Sequence, residues 1–195
     1  MELNKNYWKK HYKDNDTGWD IGYPSTPIKE YIDQLTDKSI NILIPGVGNG
    51  YELEYLWNQG FKNVYAIDIT EEPIKSFLDR VPDFPKEHLF CENFFDASIS
   101  TKFDLIIEQT FFCALNPNLR VQYVEEMHRF LNSQGKLAGL LFKFPLTQDG
   151  PPFGGSIEEY QPLFSKYFSI EQMEDCYNSI PPRQGNELFF ILRKK

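Results

Sequence analysis

Apolar residues fall into two alternating rhythms along the chain. Short continuous runs, "INILIP" (40–45), "NVYAID" (63–68), "HLFCE" (88–92), "FDLIIE" (103–108) and "GKLAGLLFK" (135–143), have the apolar density of strands buried on both faces. Between them, apolar positions recur at helical spacing behind start signals. Thr26–Pro27 opens a segment with Ile28, Tyr31, Ile32 and Leu35 on one face, and Thr70 reads as the cap of a helix carrying Ile74, Phe77, Leu78 and Val81. Asn116–Pro117 repeats the device and predicts a helix that presents Val124, Met127 and Leu131 and stops before Gly135. Ser156 and Glu159 form a capping box ahead of Tyr160, Leu163 and Phe164. Strand alternating with helix predicts an α/β fold, a doubly wound, Rossmann-like and mainly parallel sheet. The last two runs, "FSIEQMED" (168–175) and "ELFFILRKK" (187–195), have no clear helix between them and predict an antiparallel C-terminal hairpin at one edge.

No repeat or Pro/Ser/Gly linker divides the chain, so residues 1–195 read as one domain with an N-terminal covering segment and helix over 1–36. Acidic residues outnumber basic ones 28 to 20, a net charge of −8 that argues against nucleic acid or anionic lipid as partner. No stretch has the roughly 20 apolar residues of a membrane span, and the charged start lacks a signal-peptide pattern. Three cysteines without metal-type spacing suit reduced thiols; a cytoplasmic, monomeric protein is the expectation.

Candidate chemistry begins at "ILIPGVGNGYELEYL" (42–56), where Gly46, Gly48 and Gly50 separate the first strand from a helix near Tyr51. Glycines there let the backbone approach a ligand, and the helix N-terminus offers unpaired N–H groups. A dinucleotide fingerprint needs a third glycine at position 51, which is Tyr; the bulk argues against a pyrophosphate and leaves room for an amino-acid-like moiety such as that of S-adenosylmethionine. Asp68 ends the second strand at the position suited to ribose hydroxyls. After the third strand, "CENFFD" (91–96) could read an adenine edge while Phe94 or Phe95 packs on the ring.

Taken in order, Trp8, "TGWDIGYPSTP", "IPGVGNGYE", "AIDIT", "ENFFD", "EQTFFCALNP", "GPPF" and "SIPPRQGNE" resemble the thiopurine S-methyltransferase superfamily of class I S-adenosylmethionine-dependent enzymes over nearly the whole chain. The "TFFCA" and "PPR-G-E" features resemble its plant-type halide and thiol methyltransferase branch. The resemblance implies a cofactor set of Trp8, Trp19, Gly46, Gly48, Asp68, Ile69, Asn93, Phe94 and Glu108. It implies that Thr110, Phe111, Phe112 and Arg183 lie about the reacting methyl group and the acceptor. Asn93 stands where many relatives have Asp, and Gln109 and Thr110 stand where thiopurine enzymes carry Arg. Trp8 and Trp19 would close over the cofactor, an indole face attracting a sulfonium by roughly 0.5–2 kcal/mol.

No Ser–His–Asp set is evident, which suits in-line displacement by an acceptor that is already nucleophilic: a thiolate, sulfide or halide. Alignment alone can contribute about 7–11 kcal/mol. Tyr23, Phe111, Phe112 and Phe153 are candidate apolar walls. Cys113 reads as an ordinary buried thiol, "GPPFGG" (150–155) as either a lid or a plain loop, and His11, His88 and His128 lack metal spacing. A non-catalytic cofactor-binding protein and an NAD-dependent oxidoreductase are the alternatives.

Overall fold

A computed structural model describes residues 2–195. The chain begins with α1 (Lys5–Asp14), capped by Asn4, whose Oδ1 accepts from the Asn6 and Tyr7 N–H groups. This helix buries none of its residues fully and leans on the sheet-covering helix α4 (Glu71–Arg80) through Lys5–Glu71 and Lys9–Glu72 ion pairs, each 3.2 Å. Next come α2 (Thr26–Asp33), β1 (Ile42–Pro45), α3 (Tyr51–Asn58) and β2 (Val64–Asp68), then α4 and β3 (Leu89–Cys91). They are followed by β4 (Phe103–Glu108), α5 (Arg120–Phe130), β5 (Leu131–Phe142), α6 (Ile157–Ser165), β6 (Phe168–Asp175) and β7 (Glu187–Lys194).

The seven strands lie in the order β3-β2-β1-β4-β5-β7-β6. Strands β1 to β5 pair in parallel, and β7 runs antiparallel between β5 and the edge strand β6. The mainly parallel, doubly wound sheet and its C-terminal hairpin are therefore as the sequence predicts. Successive side chains on a strand point to opposite faces, so each strand feeds two cores. Leu43, Ile67, Ile106 and Leu137 meet α5 and α6 on one face; Ile42, Ile44, Val64 and Ile107 meet α2, α3 and α4 on the other.

One boundary differs. Helix α5 ends at Phe130, and Leu131 is extended and pairs with Phe103 at the start of β5. The ladder resumes at Leu105–Lys136, so residues 132–135 bulge out of it. Leu131 is buried in the same core as Met127 either way, which is why apolar spacing continues the helix through it. Among the described residues no helix is long and apolar enough to cross a membrane.

Candidate functional site: a cofactor cleft at the switch point of the sheet

The chain leaves β1 toward β2 on one side and returns to β4 on the other, so a crevice opens at the C-terminal ends of these strands. It has a volume of about 1020 Å³ and is lined by the glycine turn, the end of β2, the turn after β3, the loop after β4 and the N-terminal segment. Gly46 (φ +60°) and Gly48 (φ +53°) hold backbone conformations that side chains disfavour. A Cβ on Gly46 would also run into the Phe111 ring, 2.9 Å from its Cγ. Gly48 faces open space, with Tyr12 Oη the nearest atom at 3.8 Å from a notional Cβ. Gly50 serves packing instead, admitting the Phe77 ring of α4.

Asp68 ends β2 with 8% of its surface exposed. Its Oδ1 accepts from the Thr70 amide (2.9 Å) and hydroxyl (2.7 Å), and its Oδ2 accepts a long 3.3 Å bond from the Gly48 amide. Burial raises its pKa, against these hydrogen bonds. Thr70 occupies the cap position of α4, but its hydroxyl is spent on Asp68 and makes no bond to the helix. Asn93, Phe94 and Ile69 also line the cleft. The Asn93 amide is folded back, however: Oδ1 accepts from the Phe95 amide (3.3 Å) and Nδ2 donates to Asp96 (2.7 Å), so reading an adenine edge would require it to let go of its own turn.

Trp8 and Trp19 meet edge to face with centroids 5.5 Å apart, and Tyr12 and His11 complete an aromatic wall. Tyr12 was not singled out from sequence, although its place one helical turn after Trp8 was a usable signal. Asp20 was also missed. Its Oδ1 accepts from the Gly22 amide (2.8 Å), and its Oδ2 accepts from Asn49 and, at 3.5 Å, from the Tyr51 hydroxyl, tying the N-terminal segment to the glycine turn.

The loop after β4 divides. Gln109, Thr110 and Phe111 face the cleft; Phe112 turns away, 1% exposed, against Tyr123 and Tyr160. Phe112 therefore lies in the core and not in the cleft wall, because its ring packs between Tyr123 and Tyr160. Glu108 is likewise absent from the cleft wall: it is fully buried behind it. Phe153 is buried outside the cleft, its amide donating to the Cys113 carbonyl (2.7 Å), whereas Tyr23 lines the cleft half-exposed. This bond and that of Arg120 Nη2 to Gly154 (2.6 Å) anchor the far end of the 150–155 segment. Burial pushes the Cys113 thiol pKa up, which suits an inert side chain.

Arg183 reaches the cleft mouth with its side chain 10% exposed. Its Nη2 donates to the Trp19 carbonyl (2.9 Å), while Nη1, 3.7 Å from Glu187 Oε1, is buried without a hydrogen-bond partner. Arg183 and Glu187 thus form a buried pair. Gln109 Oε1 is a second buried polar atom in the wall without a partner. No cluster of His, Cys, Asp and Glu capable of holding a metal occurs among the described residues.

The sequence profile described as Thiopurine S-methyltransferase (TPMT) matches residues 3–191. The chain belongs to the thiopurine S-methyltransferase family. Within this family it is 29% identical to the probable thiol methyltransferase 2 of Arabidopsis thaliana and 28% identical to the thiocyanate methyltransferase 1 of Brassica oleracea. Each match covers 92% of this chain and 81% of the relative. The fold is similar to the Burkholderia thailandensis 1,6-didemethyltoxoflavin-N1-methyltransferase, crystallised with S-adenosylhomocysteine: TM-score 0.79, 17% identity, 98% of this chain and 87% of that one covered. As a thiopurine S-methyltransferase family member the chain is an S-adenosylmethionine-dependent methyltransferase, which sets aside the oxidoreductase and the non-catalytic readings. The cleft suits that cofactor: it opposes a carboxylate, an open glycine backbone and an unpartnered Gln109 carbonyl oxygen with a wall of aromatic faces.

Proposed function

We propose that the chain methylates a small soft nucleophile: a thiol, thiocyanate, halide or related chalcogen. When bound, S-adenosylmethionine supplies a methyl group made electrophilic by its sulfonium. Asp68 Oδ2 accepts from ribose hydroxyls, Gly46 and Gly48 admit the methionine part, and Ile69 and Phe94 flank the adenine. Trp8, Trp19 and Tyr12 turn aromatic faces to the cation and exclude water. Thr110 and Phe111 form the wall against which the acceptor lies, and the Arg183 guanidinium at the mouth draws an anion, its charge partly offset by Glu187.

One observation carries this reading. Gln109, Thr110, Phe111, Phe142, Phe144 and Arg183 bring aromatic, amide, hydroxyl and guanidinium groups to the cleft, whereas its imidazole and carboxylates, among them His11, Asp16, Asp20, Asp68 and Glu92, come from the N-terminal segment and from the β2 and β3 side of the sheet. Such a wall strips water from an acceptor that arrives as an anion and aligns it for in-line attack, a reaction in which no proton has to be taken from the acceptor. The similarity to thiol and thiocyanate methyltransferases supports the same chemistry. The net charge of −8 supports a small-molecule acceptor over nucleic acid, and we read residues 1–195 as one monomeric, cytoplasmic domain.

A methyl-transfer assay across iodide, bisulfide, thiocyanate, an aromatic thiol and a thiopurine tests the class. Turnover is expected for soft acceptors, with the ratio of thiol to thiocyanate rates following the thiolate fraction through the thiol's own pKa. Methylation of oxygen or nitrogen acceptors alone refutes the reading.

A further inference from the structure

Glu108 is a buried carboxyl group that the cleft wall does not use. It ends β4 with no exposed surface, lies outside the cleft wall, and has three donors converging on it. Oε1 accepts from the amides of Phe111 (2.8 Å) and Phe112 (2.9 Å), and Oε2 accepts from the Tyr123 hydroxyl of α5 (2.6 Å). Strand β5 makes room for it with Gly139, where a Cβ would stand 2.7 Å from Glu108 Cβ. The residue it bridges, Thr110, has φ +58°, a left-handed conformation unfavourable for a β-branched side chain. Strain of this kind persists only where surroundings over-determine it, and the bonds from Glu108 to the next two amides supply that determination.

We propose that Glu108 is a positioning residue for methyl transfer: clamped by Tyr123, its carboxylate holds Thr110 in its left-handed turn and so sets Gln109, Thr110 and Phe111 in the cleft wall. This rests on the proposed placing of the acceptor against Thr110 and Phe111. The clamp is best satisfied when ionised, because every group facing the carboxylate is a donor, and a proton on it finds only the Tyr123 oxygen to receive it. The titratable groups facing it are Tyr123 from α5 and Cys113 from its own loop; burial raises both their pKa values, so both stay neutral. Arg183 and Glu187 act on Cys113 and not on Glu108. Burial pushes the Glu108 carboxyl up to about 7, so the clamp tightens as pH rises through neutrality.

The test uses thiocyanate, which does not titrate in this range, with the intact protein and its variants Glu108→Gln and Tyr123→Phe. Glu108→Gln keeps the shape and mimics the protonated clamp. For the wild type, kcat/KM should rise with a midpoint near 7. The rise should be about tenfold, the scale of a sub-ångström misplacement of the reacting groups. Glu108→Gln should stay flat at the wild-type low-pH level. Tyr123→Phe removes a donor and should move the midpoint upward. Independently of turnover, the Phe111 and Phe112 amide resonances should titrate with the same midpoint in the wild type and not in Glu108→Gln. A rise that persists in Glu108→Gln, or amides that do not titrate in the wild type, overturns the clamp. If the wild type turns over no soft acceptor, the acceptor reading fails, and the amide titration decides the clamp by itself.

Discussion

Replacing Asp68 by Asn tests the cofactor assignment at a single atom. Oδ1 already carries two donors, from Thr70 at 2.9 and 2.7 Å, and an Asn oxygen can keep both. Oδ2 carries only the long 3.3 Å bond from Gly48, which leaves it free to accept from a ribose hydroxyl. Asn puts an NH2 there, which faces the Gly48 amide donor to donor and can accept nothing. Losing one charged acceptor costs about 1.5–3 kcal/mol. At about 1.4 kcal/mol per factor of ten, S-adenosylhomocysteine should bind roughly ten- to 150-fold more weakly. Burial disfavours the charge at Asp68 in the folded chain, so the neutral variant should melt close to the wild type and the loss should lie in binding. The same sign makes wild-type affinity fall on the acid side as Asp68 protonates, whereas the variant should lack this component. Titration calorimetry with S-adenosylhomocysteine, beside thermal melts of the free proteins, measures both quantities. An affinity within about threefold of wild type with an unchanged melt refutes the ribose assignment.

Binding of S-adenosylhomocysteine should quench or shift the fluorescence of Trp8 and Trp19 and protect the amides of α1 from exchange; identical exchange with and without it counts against closure of the N-terminal segment. Glu108 makes a stability prediction as well. Its carboxyl rises from 4.5 to about 7 on folding. Its contribution is therefore complete below the unfolded value and is lost as pH rises through the folded one. Chemical denaturation of Glu108→Gln should show a smaller loss of stability from mildly acidic to mildly alkaline pH, by up to about 3 kcal/mol; equal losses contradict the burial of an ionisable Glu108. An alkylating reagent should label the exposed Cys91 quickly and leave the buried Cys113 and Cys176 unmodified until the protein unfolds, as mass spectrometry of the peptides would show.

Much of the framework is legible in the sequence because it depends on near neighbours. Buried parallel strands need continuous apolar runs, and all five such runs are strands in the sheet. The glycine turn and Asp68 follow from position alone, since the end of a strand at a switch point faces the crevice whatever the details of packing. The α5–β5 boundary was not legible, because Leu131 is buried whether it ends a helix or begins a strand.

The direction of each side chain in the site was decided by partners far away in sequence. Phe111 and Phe112 are adjacent and identical, yet one faces the cleft and the other the core, because Phe111 fills the space Gly46 leaves while Phe112 meets Tyr123 and Tyr160. Glu108 turns from the cleft because Tyr123 and two amides hold it on the other side of the loop. Arg183 enters the cleft mouth because the Trp19 carbonyl takes one of its N–H groups across 164 residues of chain. Apolar periodicity says that a residue is buried; which of two buried environments it joins depends on contacts that exist only once the sheet has closed.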